Sequence, residues 1–99
     1  MTSKSKKQAP ERAVLVTTEH RGVFFGYARD TDGETISLER ARNVLYWGRD
    51  VRGFMGLAAT GPTSSCRVGP AVSITLRKIT SVSEVTTEAV AKFEAAPWG

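Results

Sequence analysis

Between Arg21 and Leu38 the chain reads RGVFFGYARDTDGETISL: an aromatic strand interrupted by Gly22 and Gly26, an Asp-Gly turn, then an alternating strand. A glycine inside a strand has no side chain to pack, so Gly26 marks a bulge or a tight bend. Gly33 can take positive φ, and Asp30-Thr31-Asp32-Gly33 therefore reads as a hairpin turn. Beyond it Thr35, Ser37 and Glu39 alternate with Ile36 and Leu38, the signature of a strand with one buried face. In the preceding strand the same alternation sets Val23, Phe25 and Tyr27 on one face and Phe24 and Gly26 on the other, and one of these faces must be core. A small, sharply bent antiparallel sheet is the architecture that this stretch implies.

The rest of the chain extends that sheet and adds two helices. Ala13 to Thr18 is a β-branched run and a first strand. Arg42 to Trp47 is expected as a fourth strand, with a helical turn from Leu38 to Leu45 as the alternative. Asp50 is placed to cap a short helix. Val51, Phe54, Met55 and Ala58 would share its buried face, and Gly61-Pro62 would end it. Thr63 to Pro70 reads as a loop, and Ala71 to Val85 as a long β segment rich in Ile, Val and Thr. Thr86 or Thr87 then caps a final helix that buries Val90 and Phe93 and stops at Pro97. The fold class expected is mainly β (α+β): a small bent antiparallel sheet or SH3-like barrel or roll, with one short internal helix and a C-terminal helix.

Ninety-nine residues make one domain with a single modest core. Residues 1–11 are expected as a basic, flexible tail and residues 12–99 as a single β-rich domain. No apolar run is long enough to cross a bilayer, and the basic N-terminus lacks the apolar stretch of a signal peptide. No membrane partner is therefore expected, and the chain should stay in the cytoplasm. One cysteine, Cys66, cannot form an internal disulfide and is read as a semi-buried filler.

The net charge of +4 is unevenly spread. Residues 1–12 carry Lys4, Lys6, Lys7 and Arg12 against Glu11. Residues 35–82 carry Arg40, Arg42, Arg49, Arg52, Arg67, Arg77 and Lys78 against only Glu39 and Asp50. Acidic stretches flank this basic centre on both sides. Such a centre can face phosphate, or the acidic ends of a neighbouring subunit.

No catalytic constellation is legible. Glu39, Asp50 and Glu84 are scattered rather than paired for acid/base work. One His and one Cys leave a zinc site or a nucleophilic triad short of parts. The stretch Gly61 to Pro70 holds hydroxyls, a thiol and Arg67 between two Gly-Pro pairs. It suits either an anion-binding loop or a plain connection, and it lacks the ending of a P-loop. The expectation is a protein that is not an enzyme and needs no cofactor or metal. Tyr46, Trp47, Phe54, Met55 and Trp98 exceed the apolar bulk that a domain of this size hides. They belong to the residue types enriched in interface cores, so they are the expected oligomer contacts.

Gly22-x-Phe24-x-Gly26, the acidic turn and Ile36-x-Leu38 together resemble the first half of the Sm-like and other SH3-type small barrels. The same segment resembles the basic-Gly-aromatic signature of RNA recognition motifs, with Val23 where that signature has an aromatic. A longer likeness runs through Ala41-Arg42, Tyr46-Trp47, the stretch from Gly53 to Pro62, Val68 to Val72, Ile74 to Leu76 and Ala95 to Trp98. This pattern is similar to a family of small uncharacterised proteins encoded by tailed phages and prophages. That resemblance implies a phage origin and a place in the cytoplasm of the infected host or in the virion; it implies no activity.

The expectation is thus a non-enzymatic phage accessory protein that forms a closed homo-oligomer. A basic surface of Arg40, Arg42, Arg49, Arg52 and Arg67 would bind a phosphate-bearing ligand, a nucleotide of host defence among the candidates. A self-assembling shell or virion component is one alternative. A nucleic-acid binder that uses the lysine tail and the arginine band is the other.

Overall fold

The computed structural model describes residues 10–19, 22–31 and 33–97. Six strands, a single 3-10 turn and two helices follow one another: β1 (Arg12–Thr18), β2 (Val23–Ala28), β3 (Thr35–Tyr46), the turn Arg49–Val51, α1 (Gly53–Thr60), β4 (Arg67–Val68), β5 (Val72–Arg77), β6 (Ile79–Glu84) and α2 (Thr87–Ala95). The strands make one antiparallel sheet that is not closed, in the order β4-β3-β2-β1-β6, with β5 beside the first half of β3. The fold is mainly β with a short internal helix and a C-terminal helix. The expected third and fourth strands are one element, because β3 runs unbroken through twelve residues.

Both faces of this sheet are buried, which is why Val14, Leu15 and Val16 form a continuous apolar run rather than an alternating one. On one face Leu15, Val23, Phe25 and Val44 pack against Val51, Leu57, Ala58, Val68 and Phe93. The Phe25 and Phe93 rings stack at 4.3 Å, laying α2 over β2. On the other face Val14, Val16, Ala28, Ile36, Leu38, Ala41 and Leu76 form a core made by strands alone. The sheet can cover its own second face because β3 bends. β5 and β6, separated only by Lys78 at φ 56°, then pair with β3 and β1 respectively.

The bend has a residue-level cause. Phe25 faces Arg42 and Tyr27 faces Glu39, so β3 holds one residue more than β2 across this interval. Arg40 sits in the bulge at φ 49°. Gly26 faces it, and there a Cβ would stand 3.0 Å from the Leu38 Cβ and 3.2 Å from the Ala41 Cα. The bulge shifts the inward-outward alternation by one residue. Ala41 joins Ile36 and Leu38 in the strand-only core, and Arg42 falls on the helix side.

The first helix corrects the expectation in two ways. Asp50 lies within the 3-10 turn rather than ahead of α1; Arg52, at φ 62°, separates that turn from α1. The buried side of α1 is Leu57 and Ala58, while Met55 points outward with 69% of its surface exposed. The long β segment expected from Ala71 to Val85 is two strands broken at Lys78. The second helix is capped by Thr86, whose hydroxyl accepts from the Ala89 amide at 3.1 Å. It buries Ala89 and Phe93 fully, whereas Val90 is half-buried. No helix among the described residues is long and apolar enough to cross a membrane.

Candidate ligand and interface sites

The five arginines expected to form one basic surface occupy two separate places. Arg49 lies in the 3-10 turn, Arg52 between that turn and α1, and Arg67 at the start of β4. Arg67 sits across from Tyr46 in the β3–β4 pair, and Asp50 ties the turn to the loop after α1. The Thr63 and Ser65 hydroxyls donate to its two carboxylate oxygens at 2.7 and 2.8 Å. Those two bonds hold the Asp50 carboxyl below the usual carboxylate range. Its own loop thus already answers this charge, and the hydroxyls are engaged by a carboxylate rather than open to an anion. Arg49, Arg52 and Arg67 are exposed and make no ion pair among the described residues.

Tyr46 and the neighbouring Leu45 are exposed on the strand that leads into this end, at 54% and 57%. Trp47 and Phe54 are half-buried against the helix-side core. Met55 and Val72 are further exposed apolar groups, and Trp98 lies outside the described residues. Of the expected interface set, Tyr46 and Met55 are therefore outward, while Trp47 and Phe54 already have intramolecular partners. Leu45 and Val72 were not legible as exposed, because alternation gives an apolar residue in a strand no outward mark.

Arg40 and Arg42 belong to the second place, a cleft of about 460 Å³ between β2, the bend of β3 and the end of α2. Arg42 is only 7% exposed. Its Nε donates to the Gly69 carbonyl at 2.7 Å, and its Nη1 donates to the Phe93 and Ala96 carbonyls at 2.6 and 2.8 Å. The last two bonds satisfy carbonyls at the C-terminal end of α2, which have no intrahelical partner. A cation there also suits the helix dipole. Burial pulls the Arg42 guanidinium below its ordinary value, from a range so high that it stays charged. Arg42 is thus a buried clasp rather than part of an open surface band.

Arg40 stands 4.3 Å from the centroid of the Tyr27 ring and donates to Glu11 at 2.8 Å. The Tyr27 hydroxyl donates to Glu94 on α2. Burial, then the hydrogen bond to Glu94, push the Tyr27 pKa up to about 12, so it remains a donor at neutral pH. Neither Tyr27 nor Glu94 stands out in the sequence, because 67 residues separate the pair.

Among the described residues no group of three or more His, Cys, Asp or Glu is placed to hold a metal ion. Cys66 is half-buried, with its sulfur 3.4 Å from the Thr63 amide nitrogen. Residues 11–93 match the family described as Domain of unknown function (DUF6948). The chain belongs to that family. The match reaches from the Glu11 partner of Arg40 to the Phe93 partner of Arg42, so it takes in all five arginines, while Glu94 and Ala96 of the cleft lie beyond it. No curated protein and no solved structure matches the chain.

Proposed function

We propose that this chain is a non-enzymatic phage accessory protein that assembles with copies of itself and offers arginines to a phosphate-bearing ligand. The observation that carries this reading is exposed Arg67 paired across from exposed Tyr46, with Arg49 and Arg52 exposed at the turn that follows β3. Arginine and tyrosine are enriched at the centres of protein interfaces. Guanidinium groups without carboxylate partners also suit phosphate oxygens. The two roles are compatible if copies meet through Tyr46 and Leu45 while the arginines line the resulting edge. The bent sheet, whose last two strands reach back to β3 and β1, supports an SH3-like barrel or roll as the scaffold. The likeness to tailed-phage proteins supports action in the infected cell or in the virion.

Light scattering at micromolar concentration should give a mass of more than one chain, and Tyr46→Asp with Leu45→Asp should reduce it to one. ATP should bind the wild type, and Arg49→Glu with Arg67→Glu should weaken it about a hundredfold or more through two lost charge-assisted contacts. A one-chain mass for the wild type, or ATP binding indifferent to both reversals, would reject the respective half of the proposal.

A second reading is favoured by exposed Tyr46 lying across from Arg67, since aromatic faces and cations together hold single-stranded nucleic acid. It predicts oligothymidine binding that weakens steeply with salt, by about 0.7 in the logarithmic slope per phosphate contacted. Binding unaffected by salt would remove it.

A further inference from the structure

We infer that the cleft between β2, the bend of β3 and the end of α2 is a binding site for a small organic anion. The ligand would carry a phosphate or carboxylate on an apolar body. The inference rests on the anion-binding chemistry of the reading above and adds a second site at Arg40 and Arg42.

The central observation is the unequal use of the Arg42 guanidinium. Nε and Nη1 hold three carbonyls, whereas Nη2 donates to no described residue. No buried side-chain nitrogen or oxygen among the described residues lacks a partner. An Nη2 without a bond is therefore not fully enclosed, and Arg42 is one of the residues that line the cleft. An arginine only 7% exposed and held by three carbonyls keeps its guanidinium in one orientation. Its two remaining N–H groups are fixed donors with no rotamer entropy left to lose.

Arg40 supplies a second cation on the same cleft. Only its Nη2 is engaged, by Glu11. Glu11 lines the neighbouring cavity rather than this one, and Arg40 is more than half exposed in that ion pair, so a competing anion displaces little. Phe25, Ala71 and Ala96 give the cleft an apolar wall. The Glu94 carboxylate takes the Tyr27 hydroxyl and retains lone pairs for a donor on the ligand. Two guanidinium groups on an apolar wall, within a volume of about 460 Å³, fit a head group with a compact body rather than a polymer backbone.

Phenyl phosphate and benzoate separate the two sources of the anion, and benzylamine is the cationic control. In amide NMR titrations of the full chain, at least one of the two anions should shift Phe25, Tyr27, Arg40 and Ala96. Arg40→Ala should weaken that binding about tenfold, the worth of one charge-assisted contact. Ala71→Trp, at an exposed position on the wall, should abolish it by filling the space. Shifts confined to Arg49, Arg52 and Arg67 would overturn the cleft and leave the wider reading standing. No shift with either anion would overturn both, and equal binding of benzylamine would refute the anion chemistry.

Discussion

Gly56 stands inside α1, where intrinsic propensity favours alanine by about 1 kcal/mol. The tertiary structure reverses that preference. A Cβ at this position would lie 1.5 Å from the Val51 carbonyl oxygen, a backbone atom that cannot rotate aside. Gly56→Ala should therefore destabilise the protein by about 2 kcal/mol or more, as overpacking does, and chemical denaturation would show the sign. A stabilised variant would mean that the turn Arg49–Val51 does not press against α1. Among the described residues, the three non-glycine positions at positive φ, namely Arg40, Arg52 and Lys78, are all basic. Each marks a break in regular structure: the bulge, the start of α1 and the split between β5 and β6. Nothing in their residue types announces that conformation, because the left-handed region is the habit of Gly and Asn. By contrast Gly26 was legible as a place where backbone must come close. Only the register shows that the extra residue belongs to β3 across from it.

At the scale of elements, α2 is held at both ends by groups from elsewhere in the chain. Thr86 caps its first turn and also donates to the Ala59 carbonyl at 2.6 Å, which ties the end of α1 to the start of α2. The cap was readable from a hydroxyl preceding an apolar pattern. The clasp at the other end was not, because an arginine in a strand looks like a solvated face. Arg42→Met keeps bulk but leaves the Gly69, Phe93 and Ala96 carbonyls without a donor. The expected cost is about 3 kcal/mol, from lost charge-assisted bonds and stranded acceptors. Hydrogen exchange in α2 should rise more than exchange in β1. Equal protection throughout α2 after the substitution would show that the clasp is dispensable.

For the whole molecule, the decisive feature is one sheet with a core on each face. Leu57 lies fully buried on the helix side and Leu38 on the strand side, at 0% and 1% exposure. Leu57→Ala and Leu38→Ala should each cost about 3 kcal/mol as buried leucine truncations. The effects should add, because the residues belong to different clusters and share no partner. Unfolding should stay a single transition, since Leu15 on one side and Val14 and Val16 on the other belong to the same strand. Two separated transitions in either variant would mean that the cores fold independently. Among the described residues the large apolar groups left outside are Leu45, Tyr46, Met55 and Val72, placed differently from what bulk alone suggests. Trp47 and Phe54 are half-covered within the chain.

Period, turn chemistry and capping are properties of neighbours along the chain, so a bent β-rich sheet, the antiparallel pairing of β2 with β3 and the final helix could be read from residue order alone. Where charge ended up was decided in three dimensions. One extra residue in β3 changed which way Arg42 points and carried it beneath the end of α2, while a loop 13 residues away answered the charge of Asp50. Side-chain direction depends on register, and register depends on strands that are distant in sequence. For that reason a basic stretch that looked continuous became a buried clasp in one place and exposed arginines elsewhere.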